Sequence, residues 1–330
     1  MKDPKILTKY KYSVGNAFTK SLTKYNSEEF YKPITEYLIV KDSKQMPKRI
    51  RSSIFLEIIN GLALNENDYL KFACAIEFLH EFTLVHDDIQ DKDEIRRGNL
   101  SLWKKFGTEK SIMMGNIIKS ISDTITSEDN INIEPITSKK VIETFNEVCI
   151  NIIEGQYLDI LYECKLNLSL EKYTNMISKK TGALMSMSFY LPAILSNKTT
   201  HQIQLLKRLG NIFGILFQIS DDILGIWGEP ENTGKSNFSD IRNNKKTYPI
   251  ILVNKKLSAE DKSKLKKITN EKSIDKLHNL LDLYNIKKTI KRDCEKYISI
   301  SKDIISQIDL NTNSKENLDE LFAYVMERVK

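Results

Sequence analysis

From Glu77 to Gly98 the chain reads EFLHEFTLVHDDIQDKDEIRRG, an apolar helical segment that turns abruptly into carboxylates and then paired arginines. Asp87, Asp88 and Asp91 stand at i, i+1 and i+4, so on a helix Asp87 and Asp91 share one face about one turn apart. Mg2+ typically takes one or two carboxylates and fills its shell with water and phosphate oxygens, so this pair suits magnesium bound to a diphosphate. Acidic side chains at a helix C-terminus oppose the helix dipole at about 0.3–1 kcal/mol each, a cost that argues for a purpose beyond a surface cluster. Arg96 and Arg97 follow closely enough to hold the same polyanion by forked hydrogen bonds. His80, about two turns before Asp87, lies roughly on the carboxylate face.

Three further clusters carry charge. In PKRIR, Lys48 and Arg51 share a helix face and either clamp a phosphate or form an ordinary basic helix start. EGQYLDIL carries Asp159 and KKTGAL carries Lys180 and Thr181; Asp159 either pairs with a lysine or binds metal, and beside a metal-bound diphosphate both hold at once. FGILFQISDDILGIWG places Gln218 three residues before Asp221, with Asp222 adjacent, as a plain helix end or as the opposite wall of a metal site. Residues 228–247, GEPENTGKSNFSDIRNNKKT, bring Lys235, Asp240, Arg242, Lys245 and Lys246, which read as a flap over an anion or as a solvated linker.

These residues need a scaffold, and the punctuation of the chain describes it. Seven prolines and twelve glycines in 330 residues leave long intervals with apolar residues recurring at three and four, which predicts an almost all-helical protein. Helices are expected at 16–40, 48–62, 66–91, 107–126, 138–163, 169–178, 181–196 and 199–226, with several shorter ones to the C-terminus. The 66–91 helix is apolar almost all round until its polar end and belongs in the middle of a bundle. No alternating strand pattern and no glycine-rich loop after a strand is seen, which excludes Rossmann and P-loop readings. No composition break marks a boundary, so residues 1–330 are expected to form a single domain.

A net charge of +6, without a basic stripe interleaved with aromatics, argues against nucleic acid as a partner. The four cysteines are widely spaced and form no CxxC, which points to a reducing cytoplasm. No signal peptide is expected, and no run approaches the roughly 18 apolar residues of a membrane span.

The assembled motifs resemble the trans-isoprenyl diphosphate synthases, the family of farnesyl and geranylgeranyl diphosphate synthases. The resemblance runs from about residue 40 to 326 and is carried by HDDIQDKDEIRRG at 86–98, EGQYLD at 154–159, KTGAL at 180–184, FQISDDILGIWG at 217–228 and TGKSNFSDIRNNKKTYP at 233–249. It implies an all-α bundle of long antiparallel helices around a deep central cavity, the isoprenoid synthase fold, usually as a homodimer. By that resemblance Asp87 and Asp91 bind two Mg2+ ions and Asp221 a third, with Asp88, Asp159 and Asp222 in support. Arg96, Lys180 and Lys235 hold the allylic diphosphate, and Lys245 is a further substrate-binding lysine. Lys48, Arg51, His80 and Arg97 match the isopentenyl diphosphate site, and Thr181 and Gln218 match polar residues that face the reacting carbons.

The chain departs from the family pattern in three places. Gly225 stands where a third Asp is often found in the second motif, Met46 and Pro47 replace the Gly-Gly before the clamp lysine, and Asn116 stands where an Asp is frequent. Phe82 lies five residues before Asp87, about 7.5 Å deeper along the helix. In members resembling short-chain synthases an aromatic there limits the growing tail; with no insertion in the first motif, geranylgeranyl diphosphate is the favoured product and farnesyl diphosphate the next. A class I terpene cyclase and a catalytically weak regulatory subunit are the alternatives.

Overall fold

The computed structural model describes residues 3–25, 28–39, 47–128, 133–163, 165, 167–228, 245–271 and 273–329. Within them the chain is helical apart from one two-residue-per-strand hairpin. In chain order the elements are α1 (Lys5–Thr23), α2 (Glu28–Leu38), α3 (Ile50–Gly61), α4 (Glu66–Asp91), β1 (Ile95–Arg96), β2 (Asn99–Leu100), α5 (Leu102–Phe106), α6 (Thr108–Ser127) and α7 (Pro135–Tyr162). They continue with α8 (Leu170–Ile177), a π-helical turn (Ser178–Gly182), α9 (Ala183–Leu195), α10 (Thr200–Trp227), α11 (Tyr248–Lys256), α12 (Ala259–Asn270), α13 (Ile274–Leu283), α14 (Ile286–Gln307) and α15 (Thr312–Glu327). One cluster of buried apolar side chains runs through them from Ile6 to Val329.

Helix α4 starts where Asn65 accepts a hydrogen bond from the Asn67 N–H, and it stops where Lys92 turns left-handed at φ 56°. Between those caps it packs against α3, α6 and α1, which accounts for apolar residues on every side. Helix α9 is more completely enclosed: all its residues except Ala183 and Ile194 are buried, mostly against α10, α7 and α3. Helix α10 is long and apolar enough to cross a membrane, contrary to the expectation that no run qualifies, yet 61% of its most apolar window is buried inside the protein. Its neighbours α9, α14 and α15 supply that apolar environment.

Two expectations are corrected. The single helix at 16–40 is two, α1 and α2, and α1 begins much earlier, directly after Pro4. The overlooked sequence signal is Asn26-Ser27 ahead of two glutamates, a pattern that opens a new helix. At the other end, α14 runs for 22 residues instead of forming a short element. Neither proline nor glycine interrupts 286–307, and its buried positions Ile286, Ile290, Cys294, Ser301, Ile304 and Ile305 follow helical spacing.

Candidate active site

Helix α4 carries two polar stripes with different tasks. His80, Thr83, Leu84, Asp87 and Asp91 line a cavity of about 460 Å³. Glu77, Glu81 and Asp88, spaced by four and seven, lie on another face and are each no more than 2% exposed. A buried carboxylate needs a partner, and each of these has an arginine: Arg49 on Glu77, Arg97 on Glu81 and Arg96 on Asp88.

Asp88, expected in support of Asp87 and Asp91, is not among the cavity-lining residues; it accepts from Arg96 Nε at 2.9 Å and also from Nη2. Burial pushes its carboxyl upward, against the pull of the Arg96 guanidinium. Arg96, so braced, lines the cavity, whereas Arg97 is not among the lining residues. The hairpin explains the split: Arg96 pairs with Asn99 in the ladder, while Arg97 at φ 53° and Gly98 at φ 75° form its two-residue turn. Arg97 keeps that left-handed backbone with both guanidinium nitrogens on Glu81, at 3.2 and 2.7 Å.

Across the cavity, α8, the π turn and α9 form one continuous helical rod. The π turn is a local widening of the kind found at functional sites, and it holds Lys180 and Thr181. Gly155 of α7 lets it sit where it does, since a Cβ there would fall 2.2 Å from the Lys180 nitrogen. On the other flank a Cβ at Gly214 of α10 would fall 2.7 Å from the Gly182 Cα. Lys180 Nζ lies 2.6 Å from Asp159, and Lys245 Nζ lies 2.5 Å from Asp91 and 3.3 Å from Asp159. Burial alone would push Asp159 up, but these two ammonium groups outweigh it and hold the carboxyl low. Burial also lowers Lys180, yet Asp87 and Asp159 more than restore its affinity for the proton, so it is a cation.

Both members of the second acidic pair line the cavity, with different partners. Asp221 has one oxygen 2.5 Å from Arg328. Asp222 Oδ2 accepts from the Tyr173 hydroxyl at 2.5 Å and the Tyr248 N–H at 2.7 Å, and Oδ1 accepts from Gln218 at 2.9 Å. Expected in support of the metal site, Asp222 here also anchors Gln218 and α11. Gln218 in turn accepts at Oε1 from the Thr181 hydroxyl at 2.7 Å, which fixes both polar groups at the cavity wall.

Arg51 and His80 close the cavity in the region of α3. The Arg51 guanidinium donates to His80 Nε2 at 3.0 Å, so that nitrogen is an acceptor and the imidazole is neutral. Burial, reinforced by Arg51 and Arg97, holds His80 well below the usual histidine range. Lys48 stands apart from the cavity lining, with its ammonium 2.8 Å from Asp3 and 2.7 Å from the Tyr324 hydroxyl. Phe82 is also outside the lining, 7% exposed, with its ring edge-on to His86 at 4.7 Å. Lys235, Asp240, Arg242 and Met46 lie outside the described residues. Arg328, which sequence reasoning missed, belongs to the cavity wall.

One signal in the sequence marks most of these positions. Only eight of the 50 basic residues are arginine, and Arg49, Arg51, Arg96, Arg97 and Arg328 all lie at or directly behind this cavity. In a lysine-rich chain, arginine stands where a planar fork is needed.

The donor set fits a divalent cation. Asp87 and Asp91 offer hard oxygen donors one turn apart, and the Oδ1 atom of Asp91 is buried without a hydrogen-bond partner. Burial, and then the neighbouring Asp91 charge, push the Asp87 carboxyl up against the pull of Lys180, as expected of a site short of positive charge. Among the described residues no three acidic, histidine or cysteine side chains converge on one point. A cation here would complete its shell with water and substrate oxygens, which is the habit of Mg2+.

Comparison with known proteins agrees with this geometry. The model of the polyprenyl synthetase family matches residues 29–286. A geranylgeranyl diphosphate synthase of Sulfolobus acidocaldarius is 33% identical over 267 residues, 79% of this chain and 80% of its own. A geranylfarnesyl diphosphate synthase of Aeropyrum pernix is 30% identical over 291 residues, covering 86% and 91%. The crystal structure of geranylgeranyl pyrophosphate synthetase from Pyrococcus horikoshii superposes with a TM-score of 0.86 at 25% identity, over 98% of both chains. Fold, site and sequence agree: the chain belongs to the polyprenyl synthetase family, whose members are transferases that make prenyl diphosphates.

Proposed function

We propose that this enzyme condenses isopentenyl diphosphate with an allylic diphosphate to make a short-chain trans-prenyl diphosphate, with geranylgeranyl diphosphate favoured over farnesyl diphosphate. The observation that carries this reading is that one cavity holds two sets of polar side chains suited to diphosphates, cations beside the carboxylates and Arg51, braced by the neutral His80, on α3. Arg96, Lys180 and Lys245 stand by the carboxylates, and Arg51 with His80 stands by α3. Two sets suit two diphosphates, whereas a terpene cyclase sharing the fold needs one.

Magnesium bound by Asp87, Asp91 and Asp221 would supply Lewis-acid stabilisation of the departing diphosphate. The chain's own residues do the rest. Lys180, Lys245 and Arg96 aim fixed positive charge at the leaving group. Thr181 and Gln218, locked to one another and to Asp222, present oxygen dipoles that favour the allylic cation. Ile152, Ile177, Leu184 and Phe217 exclude water from that cation while the double bond of isopentenyl diphosphate attacks it, and the carbocation so formed loses a proton to the released diphosphate.

A homodimer in the cytoplasm is part of the same proposal. Ile150, Ile153, Tyr157 and Ile160 make an exposed apolar stripe along α7, with Ile112 and Met113 exposed on the adjoining α6; a second copy is the natural cover. Cys74, Cys149 and Cys294 are buried free thiols, which supports a reducing compartment.

The test is incubation of purified protein with Mg2+, an allylic diphosphate and labelled isopentenyl diphosphate, with products resolved by chain length. Label in a twenty-carbon product is expected, and none from a folded protein would overturn the reading. Asp87→Ala should abolish turnover while leaving helical content intact.

A further inference from the structure

Helix α3 begins at an unusual residue. Its N-cap is Arg49, a bulky side chain at φ 48°, ψ 45°, which makes no side-chain capping bond. A branched or long L-residue adopts the left-handed region only when its surroundings hold it there. Arg51 follows two residues later, so the backbone of Arg49 sets the direction in which α3 carries that cavity-lining cation.

What holds Arg49 comes from another helix. Glu77 of α4 places Oε2 3.4 Å from the Arg49 guanidinium, with the two side chains 2% and 5% exposed. Its other oxygen, Oε1, accepts from the Ser52 N–H at 3.2 Å. Ser52 is the third residue of α3, so this carboxylate fills the role that an N-cap Ser or Asp ordinarily plays, and it brings a negative charge to the helix N-terminus. The Arg49 carbonyl is held in turn by the Ser52 hydroxyl and the Ser53 N–H, both at 3.0 Å. The guanidinium lies over the Phe18 ring at 4.4 Å, and Phe18 stacks on Phe78, the residue after Glu77. Neither Glu77 nor Arg49 lines the cavity, but His80, three residues after Glu77, accepts from Arg51.

We propose that Glu77 is a positioning residue for isopentenyl diphosphate: by capping α3 from α4 and pinning the left-handed Arg49, it sets where Arg51 stands. The inference rests on the assignment of the α3 cation to the second diphosphate.

The experiment compares two variants with the wild type. Glu77→Gln keeps the size and an oxygen for Ser52 but loses the ion pair. The double variant E77A/R49G removes both buried charges together, so no unpaired charge is left to block folding. Each should raise KM for isopentenyl diphosphate about tenfold, with KM for the allylic diphosphate and kcat changed less than twofold. Calorimetric titration with isopentenyl diphosphate should show the same loss of affinity. An equal change for both substrates, or an unchanged isopentenyl KM in both variants, overturns the inference and leaves Glu77 a structural group. Failure of the wild type to incorporate labelled isopentenyl diphosphate overturns the functional reading itself, and the inference with it.

Discussion

Arg328, at the very end of α15, donates to Asp221 at 2.5 Å and lies over the Phe217 ring at 5.1 Å. The last turn of the chain is thereby fastened to the second aspartate pair, and one turn earlier Tyr324 holds Lys48. The second aspartate pair and the segment leading into α3 are tied to one C-terminal helix.

A guanidinium in that position would offer forked hydrogen bonds to a polyanion if Asp221 turned to a metal cation, as proposed above. Arg328→Gln should lower kcat/KM for isopentenyl diphosphate at least tenfold, and Arg328→Lys should recover part of it, because a lysine keeps the charge but loses the fork and the stacking. Steady-state kinetics decide this. Unchanged kinetics would reduce the contact to an ordinary partly exposed ion pair, worth about 0–1 kcal/mol.

The π turn makes a different kind of prediction. With a Cβ at position 155 only 2.2 Å from the Lys180 nitrogen, Gly155→Ala cannot be accommodated by a side-chain rotation, because backbone is what it meets. The turn must shift, and Lys180 and Thr181 with it. Turnover should fall by a hundredfold or more while circular dichroism keeps its helical signature, since misplacing reacting groups by about 1 Å costs on that order. Near-normal activity would show that the turn tolerates displacement.

These features differ in how far the sequence reveals them. Asp87 and Asp91 are legible because their chemistry follows from spacing on a single helix, and α4 itself is legible because nothing interrupts it between Asn65 and Lys92. The π turn is not: SKKTG carries no local signal, and its widening answers a close approach by Gly155 of α7, which lies more than twenty residues away in sequence. Asp88 and Asp222 are named by adjacency alone, and the partners brought in by the hairpin and by α11 are visible only in the fold. Glu77 and Glu81 were readable in principle, as carboxylates on an otherwise apolar helix that must find cations, but which cations is a matter of tertiary structure.

His80 gives the fold a specific pH dependence. Its folded-state pKa lies well below 6.5 because of burial and then the Arg51 and Arg97 charges, while in the unfolded chain it titrates near 6.5. Below that value the unfolded state binds a proton that the folded state refuses, so stability falls as pH falls, by up to about 1.4 kcal/mol per pH unit. His86, also lowered, mainly by burial, acts in the same sense. The buried carboxyls of Asp87 and Asp88 are raised and act in the opposite sense as the pH approaches the carboxylate range, so the wild-type curve alone does not isolate the histidine. The difference between wild type and His80→Gln in urea denaturation does: it should be flat above pH 7 and change steadily from about pH 6.5 to 5. A difference that stays flat down to pH 5 would mean that His80 charges normally in the fold.

Phe82 tests where the growing chain goes. Its ring is almost fully buried, edge-on to His86 on the α4 face next to the cavity-lining Thr83. On the same helix Asp87 lies five residues further on, about 7.5 Å along the axis, toward the diphosphate end. The proposed tail, growing away from the carboxylates along α4, would come to that ring just outside the cavity lining. Phe82→Ala should therefore do two things at once. Removing a buried aromatic costs about 3–5 kcal/mol, visible as a lower denaturation midpoint. The space left beside Thr83 should also admit further five-carbon units, visible as longer products by chromatography of the dephosphorylated alcohols. The pairing of the two effects is what matters: loss of stability with an unchanged product length would assign Phe82 to packing against His86 alone, whereas longer products show that the ring ends the cavity.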